Sequence, residues 1–100
     1  MIRHIVLFTV ADRSPEAKPA QVRTLRNALE PLATSVPGVL TLRVSADPTT
    51  IATHWDVALE TEHESWEDLA AYQVHPEHVR ALGVVDSVAA KKAIVDYELD

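Results

Sequence analysis

The sequence predicts an α+β fold built on an antiparallel sheet, its elements following one another as strand, helix, strand, strand, helix, strand. Three observations carry that expectation. The opening run Ile2–Val10 is apolar at nearly every position and rich in β-branched residues, as a strand covered on both faces needs. Residues 39–46 and 54–61 alternate apolar and polar side chains with the period of two that marks half-buried strands. The segments between and after them repeat apolar residues every three or four positions, the spacing of one helix face.

Taken in order, Ile2–Val10 is the first strand. Ser14-Pro15-Glu16 reads as a helix start, because a first-turn proline gives up an N–H that has no partner there anyway. Val22, Leu25, Leu29, Leu32 and Val36 then recur at helical spacing. Pro31 should clash with the carbonyl of Asn27, which predicts a kink or an early end. Pro37-Gly38 supplies the turn. In the second strand Leu40, Leu42 and Val44 share one side and Thr41, Arg43 and Ser45 the other, the pattern of an edge strand. Asp47-Pro48-Thr49-Thr50 reads as a loop. The third strand places Trp55, Val57 and Leu59 on one face. Ser65 with Asp68 three residues on resembles a capping box that opens a helix through Leu69, Ala70 and Tyr72. Pro76 ends that helix and opens the next, which carries Val79, Leu82, Val85 and Val88. A last strand is expected over residues 93–99.

This order is the split βαβ arrangement of ferredoxin-like folds, with the first and third strands central and both helical segments on one face of the sheet. The opposite face would carry Ile5 and Leu7, or else Trp55, Val57 and Leu59, more apolar surface than a monomer ordinarily leaves in water. No further helix remains to cover it. The same face of a second subunit would, so the sequence predicts a homodimer through sheet faces.

The chain has 100 residues, 47% hydrophobic and 24% charged, a size and balance suited to one core and one domain over 1–100. Its formal charge is −6, with no basic run longer than Lys91-Lys92. That argues against nucleic acid and against an anionic membrane as partners. There is no cysteine, so disulfides, thiolate nucleophiles and thiolate metal sites are excluded. The apolar run after Met1 is too short to span a bilayer and lacks a small-residue cleavage site, and a cytoplasmic location is expected.

Four stretches, Ile2-Arg3-His4-Ile5-Val6-Leu7-Phe8, Val36-Pro37-Gly38-Val39, Ala70-Ala71-Tyr72-Gln73-Val74-His75-Pro76-Glu77-His78 and Val95-Asp96-Tyr97-Glu98, together resemble the stress-responsive dimeric α/β-barrel (Dabb) family. The third is the most specific. The resemblance implies a homodimer whose two sheets form a barrel, with a cavity in each subunit between sheet and helices. A plant member of the family is a polyketide cyclase that closes a ring by intramolecular aldol condensation without a cofactor. Its acid/base histidine matches His78, its partner tyrosine Tyr72 and a further pocket histidine His4. The implied substrate-binding wall comprises Val6, Phe8, Trp66, His75 and Val79, around a small hydrophobic or aromatic ligand.

The residues themselves suit that chemistry. An imidazole near pKa 6.5 is largely neutral at pH 7 and can take a proton from carbon next to a carbonyl, while a phenol can orient it or stabilise the oxyanion. Plainer readings stand beside these roles. His75 and His78 could cap helix ends, Tyr72 could be core packing, and His4 could be a satisfied core histidine. His75, Glu77 and His78 come nearest to a metal-ligand set, but Pro76 breaks the helical geometry and no third ligand is close in sequence, so no metal is expected. His63, where the family usually has an aromatic residue, and Arg23, Arg26 and Asn27 near the expected pocket wall favour a smaller or more polar ligand than the cyclase takes.

Two other functional classes remain open from sequence: a non-enzymatic stress-response module acting through self-association, and a monooxygenase of the related dimeric barrel superfamily.

Overall fold

The computed structural model describes residues 1–99; Asp100, the last residue of the expected domain, lies outside the described residues. The element order is β1 (Ile2–Val10), α1 (Lys18–Leu29), α2 (Leu32–Ser35), β2 (Thr41–Ala46), β3 (Val57–His63), α3 (Trp66–Val74), α4 (Pro76–Val88) and β4 (Ala89–Glu98). The four strands form one antiparallel sheet in the order β2-β3-β1-β4, so β1 and β3 are central and the fold is the ferredoxin-like α+β arrangement.

Side-chain alternation sorts the sheet into two faces. On β1, Ile2, His4, Val6, Phe8 and Val10 are buried under the helices, while Ile5 and Leu7 on the opposite face are half-buried. In register with them, Val57, Leu59, Thr61 and His63 of β3 also turn toward the helices. This settles the alternative left open by sequence: the uncovered apolar face carries Ile5 and Leu7, and Val57 and Leu59 belong to the core. The core joins the β1 and β3 residues to Leu25 and Leu29 of α1, Leu69 and Tyr72 of α3, and Ala81 and Val85 of α4. Leu25 is fully buried, and truncating such a leucine to alanine costs about 2–5 kcal/mol.

Several boundaries shift for local reasons. Helix α1 starts at Lys18, not Ser14, because residues 14–17 form a turn in which the Ser14 carbonyl accepts from the N–H groups of Ala17 and Lys18 at 3.2 and 3.0 Å. Pro31 separates α1 from α2, the early end that its missing N–H requires. Strand β3 begins at Val57, three residues later than expected, because the preceding Asp56 is buried as an anchor. Its carboxylate accepts from the Val10 N–H at 2.9 Å and from Arg13 Nε at 3.0 Å, and lies 3.2 Å from Lys18 Nζ. Strand β4 starts at Ala89, four residues early: α4 runs straight into it, and the Lys91 N–H bonds to the Thr9 hydroxyl at 3.1 Å beside a register shift at Thr9/Val10. No helix among the described residues is long and apolar enough to cross a membrane.

Candidate functional site

Tyr72 sits at the centre of the site. The Ser65 hydroxyl, accepting from the Asp68 N–H at 3.1 Å, fixes the start of α3. One and a half turns later, that helix drops Tyr72 onto the sheet, fully buried. Three imidazoles surround its ring, with centroids at 4.6 Å for His78, 5.1 Å for His63 and 6.1 Å for His4. His4 comes from β1, His63 from the end of β3 and His78 from the first turns of α4. Pro76 is what lets His78 approach: residues six apart on an uninterrupted helix would diverge, whereas here His75 leaves the helical conformation between α3 and α4.

Two of the three histidines are held by partners. His4 Nδ1 lies 2.5 Å from Asp96 Oδ1, across the β1–β4 pair where the two residues are in register. A carboxylate oxygen accepts here, so Nδ1 carries a proton and donates it to Asp96. His63 Nδ1 donates to the Gly38 carbonyl at 2.8 Å, leaving Nε2 to accept from the Thr61 hydroxyl at 2.9 Å. That carbonyl is presented by a turn in which Gly38 has φ +85°, a conformation that a side chain disfavours.

Two polar atoms of the cluster stand apart from these bonds. Tyr72 Oη and His78 Nδ1 are buried and have no hydrogen-bond partner among the described residues. Burial pushes the Tyr72 phenol up to about 12, so at neutral pH it is a hydrogen-bond donor. Burial likewise lowers the pKa of His78; the Gln73 backbone opposes this, while His4 and Lys92 add to it. The imidazole is therefore neutral and able to accept a proton.

Beside this cluster is a cavity of about 260 Å³, lined by His4 and His78 and by apolar side chains that include Val6, Phe8, Leu59 and Ile94. A larger cleft of about 390 Å³ runs between α1 and the loop after β2, and Arg23 and Arg26 lie there. They are not on the wall of the histidine cavity, so the polar character that the sequence suggested for that wall belongs elsewhere.

Three expected lining residues also fall outside the cavity. Trp66 is 48% exposed and its indole N–H bonds to Glu98 Oε1 at 3.1 Å. Val79, next to His78 in sequence but about 100° further round α4, is 56% exposed. His75 caps α4, its Nδ1 accepting from the Glu77 N–H at 3.1 Å, the plainer of its two sequence readings. No group of three or more His, Asp or Glu side chains among the described residues is arranged to hold a metal ion.

Sequence reasoning passed over Asp96 and Lys92 as site residues and took His63 only as a sign of a smaller or more polar ligand. The period of β4 was the available signal: residues 92, 94 and 96 share a face, and pairing with β1 turns that face toward His4.

Fold and site together define a ferredoxin-like α+β protein with a histidine-lined cavity beside a buried tyrosine, on the helix side of its sheet. The model of the stress responsive A/B barrel domain matches residues 2–99, and the chain belongs to that family. A stress-response A/B barrel domain-containing protein of Arabidopsis thaliana is 34% identical over 104 residues, covering 96% of this chain. The chain spans only 37% of that relative's length. Among solved structures, a dimeric protein of unknown function with a ferredoxin-like fold, from Bacteroides fragilis, is 30% identical with a TM-score of 0.83, over 98% of this chain and 95% of its own. An antibiotic biosynthesis monooxygenase matches at 14% identity and a TM-score of 0.74, over 100% and 99% of the two chains, a likeness of fold alone.

Proposed function

We propose that the protein binds a small carbonyl compound in the cavity beside Tyr72 and carries out acid/base chemistry on it, with His78 as base and Tyr72 as oxyanion donor. One observation carries this reading: His78, which lines the cavity, and Tyr72, packed behind it, each keep a buried polar atom without a hydrogen-bond partner among the described residues. Native interiors rarely leave such atoms unpaired, and a bound oxygen-bearing ligand would satisfy them. In this reading His78 takes a proton from the carbon next to the carbonyl. The released electron pair moves onto the carbonyl oxygen, where the Tyr72 hydroxyl meets it, and the enolate carbon is free to attack a second carbonyl of the same molecule. Proton transfer of this kind needs no cofactor. The proton that His78 has taken then passes to the alkoxide formed in that attack.

The test is ligand affinity and turnover of His78→Ala and Tyr72→Phe on a panel of β-polyketones and small aromatic carbonyl compounds. Both variants are expected to lose turnover, and unchanged values in both end the proposal.

A second reading, compatible with the first, concerns self-association. We propose that the chain pairs with a copy of itself through the sheet face opposite the helices. Ile5, Leu7 and Ala93 lie together there, with Val95 at 53% and Tyr97 at 37% exposure, and the Bacteroides fragilis relative is dimeric.

A further inference from the structure

The inner face of β4 carries three side chains in sequence along the cavity. Asp96, Ile94 and Lys92 are in register with His4, Val6 and Phe8 respectively. The strand therefore runs from an acid at the histidine end, through an apolar middle, to an ammonium at the far end. Lys92 and Ile94 both line the cavity. The four residue steps from Asp96 to Lys92 span about 13 Å of extended chain.

Charge along this wall is one-sided. Asp96 is occupied by His4, and burial keeps His78 neutral, so Lys92 brings the ammonium to the cavity wall. Its partner is Asp86, 2.9 Å away with a side chain 61% exposed. An exposed pair of this kind is worth little and is readily exchanged for another anion. Lys92 is also close enough to His78 to lower its pKa, which puts the ammonium within electrostatic reach of the reacting centre. On a chain of net charge −6, a cation at one end of an apolar cavity is a local attraction set against the field of the whole molecule.

We infer that the ligand of this cavity is an oxo acid with an apolar body, its carboxylate held by Lys92 and its ketone carbonyl seated against His78, both of which line the wall. The inference rests on the carbonyl reading of the site and narrows it. The cavity, at about 260 Å³, lies just below the usual range of ligand pockets and suits a small molecule.

The experiment compares 4-oxo-4-phenylbutanoate with its methyl ester, by titration calorimetry at pH 7.5, on the wild-type protein and on Lys92→Gln, Lys92→Arg and His78→Ala. The wild type is expected to bind the acid about fivefold more tightly than the ester, the upper end for a partly exposed charge pair. Lys92→Gln brings that ratio to about one, and Lys92→Arg restores it, which a purely structural role for Lys92 would not do. Equal affinity for acid and ester in the wild type, or a ratio that Lys92→Gln leaves unmoved, overturns the carboxylate assignment while ester binding that depends on His78 leaves the carbonyl reading standing. Failure of both compounds to bind, or binding indifferent to His78→Ala, overturns the carbonyl reading along with it.

Discussion

The phenol ring of Tyr72 packs against the imidazole of His78 with ring centroids 4.6 Å apart, and each residue keeps a buried polar atom unpaired among the described residues. The pair therefore holds hydrogen-bonding capacity that the protein itself does not consume. Tyr72→Phe removes a hydroxyl that carries a desolvation penalty without a compensating bond. The variant is expected to unfold at the same temperature as the wild type or higher, while turnover on a carbonyl substrate falls about 10²-fold, the usual effect of losing one oxyanion donor. Thermal unfolding and initial rates check the two halves separately. A clear loss of stability would mean that the hydroxyl has a structural partner and is not reserved for a ligand.

Acid sensitivity follows from the two histidines that burial holds neutral. Burial lowers the pKa of His63, with the Gly38 carbonyl opposing, and it lowers His78 as well. Between those depressed values and the ordinary imidazole pKa of about 6.5, the unfolded chain binds more protons than the folded one. This share of stability is complete above about pH 6.5 and is lost as the pH falls through that window. His63→Gln cannot titrate, and its decline in urea midpoint from pH 7 to 5 is expected to be shallower than that of the wild type. Parallel declines would remove His63 from the account.

How far the sequence reached depends on the range of the interaction behind each feature. Local signals were legible: the Ser65 cap, the Pro31 break, the Pro76 break and the Pro37-Gly38 turn each follow from the chemistry of one or two residues. Topology was legible too, because the order of elements leaves few ways to arrange four strands. The start of β3 was not, because it depends on Asp56 meeting Arg13 and Lys18, partners more than thirty residues away. The site divided in the same way. His4, Tyr72 and His78 were marked by residue type and by family likeness. Asp96 gains its role only through the β1–β4 register, and Trp66 and Val79 point outward because of helix rotations that a spacing pattern does not fix.

The anchor at Asp56 gives a stability prediction independent of the cavity. Burial pushes its pKa up, but the Val10 N–H, Arg13 and Lys18 outweigh that and hold it below the usual carboxylate value. Asp56→Ala would leave the buried Lys18 ammonium with only the Thr49 carbonyl, 2.8 Å away. The expected cost is about 3–5 kcal/mol, as for other buried pairs stripped of one partner. Asp56→Asn keeps an acceptor for Val10 and is expected to lose less. Chemical denaturation measures both, and a loss below about 1 kcal/mol for the alanine variant would contradict the anchoring role.

The proposed dimer can be broken at one position. Leu7 sits near the middle of the uncovered sheet face, in register with Ala58 on one side and Ala93 on the other, and these small neighbours leave its side chain standing above the sheet. Burying this face against a copy removes apolar area from water on both subunits at once. Leu7→Glu would place two carboxylates inside that contact with no cation beside them, a cost of several kcal/mol that raises the dimer dissociation constant at least ~100-fold. Sedimentation equilibrium is expected to give twice the monomer mass for the wild type and a single monomer mass for the variant, with the fold intact by circular dichroism. Val79→Glu, an equal change on the exposed side of α4, should leave the mass doubled. A wild-type protein that sediments as a monomer at micromolar concentration would show that this face tolerates water, and the homodimer proposal would fall.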